Sequence, residues 1–127
     1  MSGSERLRLQ SQLQSISIGV RGTSAQIPIS YALEQNYPNP FNPTTEIRYA
    51  LPADSRVSIK VFNVAGQEVA NLVEGIQSAG YHSTPWDSHT LGNVQAGSGV
   101  YFYRLIATNL DKPGAAFEQV RKMVLLK

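Results

Sequence analysis

The stretch Glu46-Ile47-Arg48-Tyr49-Ala50-Leu51-Pro52-Ala53-Asp54-Ser55-Arg56-Val57-Ser58-Ile59-Lys60-Val61 decides the fold class. Ile47, Tyr49 and Leu51 alternate with Glu46, Arg48 and Ala50, and Val57, Ile59 and Val61 alternate with Arg56, Ser58 and Lys60. A period of two places one set of side chains on a buried face and the other in water, which is the pattern of a half-buried strand. Pro52 denies a ladder donor, so Leu51-Pro52-Ala53-Asp54 is expected to turn one strand back into the next.

The same pattern extends in both directions. Tyr101, Tyr103 and Leu105 line one face of the run Gly99–Thr108, and a final run spans Phe117–Leu126. Ile29–Gln35, Glu68–Glu74 and Gly80–Trp86 are shorter candidates. Turn chemistry separates these runs: Pro38-Asn39-Pro40 and Asn42-Pro43, Asn63-Val64-Ala65-Gly66 with Gly66 suited to positive φ, then Glu74-Gly75, Ala79-Gly80 and Lys112-Pro113-Gly114. About seven short strands with this punctuation predict an all-β fold, an immunoglobulin-like antiparallel β-sandwich over residues 29–127. Val124 and Leu126 are expected to face the core as alternate residues of the last strand. Asn36–Pro43 is expected to form a rigid crossover, with Tyr37 and Phe41 plugging one end of the sandwich.

Residues 1–28 form a separate N-terminal segment and linker. Leu9, Leu13, Ile16 and Val20 fit a helical stripe that Ser4 could cap, whereas Ile16, Ile18 and Val20 alternate and favour extended structure. Met1-Ser2-Gly3-Ser4-Glu5 has no apolar signal-peptide core and reads as a cloning remnant before a piece of a longer protein.

The chain has 127 residues, 42% apolar, 16% charged and 9% aromatic, which suits one domain with one core. Eleven Lys and Arg against nine Asp and Glu leave a net charge of +2, with no basic stripe for nucleic acid. No apolar run is long enough to insert into a membrane. The absence of cysteine rules out disulfides, thiolate metal sites and a cysteine nucleophile.

Chemistry-bearing patterns are sparse. Asp87-Ser88-His89 holds the letters of a hydrolytic triad, but adjacent residues are expected to point apart and form only a polar turn. His82 reads as a solvated strand residue. Asp54, Asp87 and Asp111 each stand alone in predicted loops, short of a calcium set. Gly97-Ser98-Gly99 lacks the rest of a phosphate loop. No catalytic residue, metal site or cofactor is therefore assigned. Trp86, Tyr37, Phe41, Tyr81, Phe102 and Phe117 could either stack on sugars or pack the core, and core packing is favoured.

One stretch goes beyond generic patterning. Leu33-Glu34-Gln35-Asn36-Tyr37-Pro38-Asn39-Pro40-Phe41-Asn42-Pro43-Thr44-Thr45 resembles the opening signature of the type A C-terminal sorting domain of type IX secretion. Val61–Val69, Ala79-Gly80-Tyr81-His82 with Trp86-Asp87, Gly97–Leu105 and Arg121–Lys127 are similar to later blocks of that family, in the same order. The flagellar hook-capping protein has a related domain, but the terminal Lys122-Met123-Val124-Leu125-Leu126-Lys127 favours sorting. The connection Asn109–Ala116 is longer than the family's usual one, and residues 1–28 match nothing in it.

The resemblance implies a non-catalytic signal that directs an upstream passenger across the outer membrane. The implied partners are the type IX translocon, a sortase-like peptidase and the passenger. The implied destination is secreted or cell-surface, reached through the periplasm, with the domain itself a monomer. Lys122, Met123, Val124, Leu125, Leu126 and Lys127 are the candidate signal residues, and Phe117–Leu126 at a sheet edge could be read by β-augmentation. Arg21–Ile27 is the candidate cleavage linker. Two other readings remain: a carbohydrate-binding module of an extracellular protein, or a structural module in which Leu7–Val20 completes a neighbour's sheet.

Overall fold

A computed structural model describes residues 26–127. The readings of the helical or extended stripe before Val20, and of most of the linker, lie outside the described residues. Seven strands follow in order: β1 (Ala32–Leu33), β2 (Thr45–Leu51), β3 (Ser55–Phe62), β4 (Glu68–Gln77), β5 (Gly80–Trp86), β6 (Gly99–Asn109) and β7 (Ala116–Leu125). They form two antiparallel sheets, one ordered β1-β2-β5 and the other β4-β3-β6-β7. This is the all-β sandwich that the alternation predicts.

The core is built from the residues that the alternation singled out. Ile47 and Leu51 of β2 meet Val57, Ile59 and Val61 of β3, and each of these five is 0% exposed. Tyr103 and Leu105 of β6 join them from the neighbouring strand, opposite Val61 and Ile59. Burial of this kind stabilises by about 25 cal/mol per Å² of apolar surface removed from water.

Two turns and one strand differ from expectation. Leu51-Pro52-Ala53-Asp54 does not return β2 to a neighbour. It carries the chain from the first sheet to the second, because β2 pairs with β1 and β5 while β3 pairs with β4 and β6. Asp54 pins this arch: its Oδ1 accepts the Ala79 N–H at 2.9 Å and its carbonyl accepts the Leu110 N–H at 3.1 Å. Glu74-Gly75 is no connection, since β4 stays paired with β3 as far as Gln77. Ile29–Gln35 contracts to Ala32–Leu33, where Leu33 is buried while Ile29 is 99% exposed. The reversal at Asn63–Gly66 is as read: Gly66 adopts φ 81°, and Asn63 Oδ1 accepts the Ala65 and Gln67 N–H groups.

Leu105 is fully buried on β6, opposite Ile59. Leu105→Ala is expected to lower unfolding free energy by about 3 kcal/mol, the usual cost of a buried Leu truncation. The measurement is the denaturant midpoint, with the slope unchanged.

Candidate functional site

β7 is an edge strand, paired only with β6, so half of its backbone groups point away from the sheet. Met123 and Leu125 face the core at 0% exposure, opposite Tyr101 and Gly99. Val124 is only half-buried and Leu126 is 52% exposed, so the expected core register is off by one residue. Four consecutive apolar residues, Met123–Leu126, carry no period that could decide between the two registers. Lys122 and Lys127 are exposed with Leu126, and these three present their side chains to solvent.

The outward backbone of this segment is covered by the chain between β1 and β2. The Phe41 N–H donates to Val124 O at 3.0 Å, and the Leu126 N–H donates to Phe41 O at 3.0 Å. The Val124 N–H donates to Asn39 Oδ1 at 3.0 Å, and Gln35 Nε2 donates to Lys122 O at 2.8 Å. Beyond them the Lys127 N–H donates to Ser98 Oγ. β-Augmentation along Lys122–Leu126 therefore meets an edge that is already paired.

Asn36 anchors the cover. It is 2% exposed, and four contacts engage its polar atoms. Its N–H donates to Tyr103 Oη at 2.8 Å, and its Nδ2 donates to Thr45 Oγ1 at 2.9 Å and Pro38 O at 3.1 Å. Its Oδ1 accepts from Gln35 Nε2 at 2.7 Å. Tyr103 Oη in turn donates to Glu34 O at 2.7 Å. Burial pushes the Tyr103 phenol up to about 12, against smaller opposing effects from the Asn36 N–H and the Arg121 charge. Phe41 is the apolar half of the anchor: it is 2% exposed and packs its ring 5.8 Å from that of Trp86. Tyr37 was expected beside it but is 79% exposed.

The remaining candidates separate. Asp87 and His89 do meet, contrary to expectation, with Oδ1 accepting the His89 N–H at 3.0 Å and lying 3.2 Å from Nδ1. The His89 N–H holds the Asp87 carboxyl below its usual range. Ser88 is 0% exposed, at φ 73°, with Oγ donated to the Pro43 carbonyl, so it is not aligned with His89 as a nucleophile. His82 stacks on Tyr49 and contacts Ser78 O. Among the described residues no three His, Asp or Glu come together to hold a metal. Trp86 and Phe41 are core residues, whereas Tyr37 and Tyr81 are exposed, so the six aromatics do not share one face. Among the described residues no helix is long and apolar enough to cross a membrane.

Sequence reasoning did not single out Gln35, Asn36, Asn39 or Tyr103 for this work. A usable signal was present: three amide side chains among prolines, where the backbone has few ladder partners of its own.

The family model described as "secretion system C-terminal sorting domain" matches residues 35–112, more than half of the chain. The chain belongs to that family. Its function is accordingly that of a C-terminal secretion signal for type IX secretion. The match begins at Gln35 in the cover and ends at Lys112 before β7. No curated protein sequence matches the chain. Among solved structures, dimeric latent PorU from Porphyromonas gingivalis aligns with a TM-score of 0.61 at 17% identity. That alignment covers 89% of this chain and 10% of PorU, so the chain spans a tenth of PorU's length and the likeness concerns the fold. PorZ, a surface component of the type IX system of the same bacterium, aligns with a TM-score of 0.44 at 14% identity, over 76% of this chain and 11% of PorZ.

Two outcomes follow from the Asn36–Tyr103 anchor. Asn36→Leu removes the side-chain bonds to Thr45 Oγ1, Pro38 O and Gln35 Nε2 at a buried position, and is expected to destabilise by about 2–3 kcal/mol. Amide exchange at Val124 and Leu126 should quicken more than exchange in β3. The Tyr103 contribution has a defined pH window. Its folded pKa lies above the unfolded value near 10, so the stabilisation is intact below pH ~10 and is lost as pH rises toward about 12. The stability difference between the parent and Tyr103→Phe should shrink across that window in denaturant titrations.

Proposed function

We propose that residues 29–127 act as a non-catalytic, monomeric export label, read by the type IX machinery after the domain has folded in the periplasm. The terminal segment Lys122-Met123-Val124-Leu125-Leu126-Lys127 is the part that is read. Family membership over residues 35–112 is the observation that carries the reading. The passenger lies upstream, and a sortase-like peptidase releases it in the linker Arg21–Ile27. The protein ends secreted or on the cell surface.

Within the terminal segment the residues divide by role. Met123 and Leu125 are fully buried and hold β7 to the core. Lys122, Leu126 and Lys127 are exposed and offer two cations flanking one apolar contact. The backbone between Lys122 and Leu126 is paired with the cover, so side chains rather than edge hydrogen bonds are what a reader meets there. Lysine and apolar contacts of this kind are favoured by a partner surface with carboxylates around an apolar pocket.

The test uses the full chain behind a signal peptide and a fluorescent passenger in a type IX-competent bacterium. The parent fusion is expected at the surface or in the medium. A triple variant, Lys122→Glu, Leu126→Asp and Lys127→Glu, should lower export by about tenfold or more, a loss of about 1.4 kcal/mol in recognition. Its melting temperature should stay at the parental value, because these three side chains leave the core untouched. Deleting Lys122–Lys127 is a poorer test, since it also removes buried Met123 and Leu125. Retention of the parent fusion in the periplasm would overturn the reading.

A further inference from the structure

The sandwich has four sheet edges, β1, β5, β4 and β7. Exposed edges are templates for another strand, and folded proteins blunt them with shortness, proline, bulges or a cover. β1 has two residues, and its Leu33 carbonyl accepts from Arg121 Nε. β5 contains Pro85, which has no N–H to offer. β4 is broken by two register shifts against β3, and Leu91 N–H caps its Val69 carbonyl. The downstream half of β7 is covered by Gln35, Asn39 and Phe41.

The upstream half of β7 has none of these devices. Ala116–Val120 pairs with β6 without a register shift and contains no proline or glycine. Because Val124 and Lys122 direct their backbone away from β6, the period of two directs Val120, Glu118 and Ala116 the same way. Among the described residues nothing pairs with the backbone of these three. The side chains beside the edge suit an extended guest. Val120 is 52% exposed and borders a shallow depression of about 360 Å³ formed with Phe62, Phe102 and Arg104. Arg104 lies 4.8 Å over the Phe62 ring and 3.9 Å from the Glu118 carboxylate, whose side chain is 58% exposed.

We propose that Ala116–Val120 pairs with an extended segment of a partner protein, with an apolar side chain opposite Val120 and a basic one opposite Glu118. The partner strand adds to the sheet as a fifth member, and its apolar residue packs on Val120 at the rim of the Phe62–Phe102 depression. The charge choice follows from Glu118, the one ionisable group in the open row. Placing the occupant in the export machinery rests on the sorting reading above. The pairing itself does not.

The experiment measures backbone amide exchange by NMR on the full chain, with a soluble peptide that alternates Val and Thr around one Lys. At peptide concentrations of about ten times the dissociation constant, exchange at Glu118 and Val120 should slow by about tenfold. Amides of β4 and β5 should not change. Val120→Pro, which removes an outward N–H that β6 does not use, should abolish the protection, and Val120→Thr should keep it. Absence of protection at Glu118 and Val120, or equal protection on another edge, overturns the proposal. Protection that rises with protein concentration alone assigns the edge to a second copy and also overturns it. So does protection already present in the peptide-free full chain that is lost when residues 1–25 are removed. In the secretion assay, Val120→Pro should cut export about tenfold while Val120→Thr does not. Equal export of both, with the parent exported, sinks this inference and leaves the sorting function standing. If the parent is not exported the sorting reading fails, and amide exchange still decides the pairing.

Discussion

One buried asparagine organises the end of the sandwich where the terminal strand is covered. Asn36 reaches Tyr103 on β6, Thr45 at the start of β2 and the Pro38 carbonyl within its own loop. A buried polar group is tolerated only when its donors and acceptors are met, and removal of one partner leaves the others stranded. The loop is thereby held in a single geometry, from which Gln35, Asn39 and Phe41 reach the outward backbone of β7. Phe41 adds an apolar anchor against Trp86, whose ring also lies 5.5 Å from that of Tyr101 in a T-shaped contact. The signature around Asn36–Pro43 and the terminal strand are therefore one structural unit, although they lie at opposite ends of the domain sequence.

That unit divides the six terminal residues between core and surface. Met123 and Leu125 are consumed by the core, and the backbone from Lys122 to Leu126 by the cover. What is left outward is two amines and a leucine side chain. The edge chemistry often associated with a last strand is displaced upstream, to a stretch where the strand is regular and the cover has ended. Lys122 to Lys127 and Ala116 to Val120 are adjacent along one strand yet offer a partner different physics: side-chain charge and apolar contact in one, backbone pairing in the other.

Much of the architecture was legible because the strands bury one face only. Ile47, Tyr49 and Leu51, then Val57, Ile59 and Val61, alternate without interruption, and all six are in the core. The partition between sheets was not legible at Leu51–Asp54, since a hairpin and an inter-sheet arch use the same turn residues. The register of β7 was hidden by the unbroken apolar run Met123–Leu126. Tyr37 and Phe41 look equivalent as aromatics among prolines, but only Phe41 is close enough to β7 to enter the core. The Asn36 network left no periodic trace, because polar burial depends on partners 9 and 67 residues away. The family resemblance drew attention to the right loop without revealing what each of its amides holds.

The bond between Gln35 and Lys122 spans 87 positions, and that between Asn39 and Val124 spans 85. A polypeptide threaded out of a pore begins with its amino end, so the cover emerges long before the strand it must close upon. Until Val124 and Leu126 arrive, Phe41 and Asn39 have no ladder to join, and non-local closure of this sort is the slowest part of building a sheet. Completion of the cover therefore registers that the chain has been delivered at least as far as Leu126.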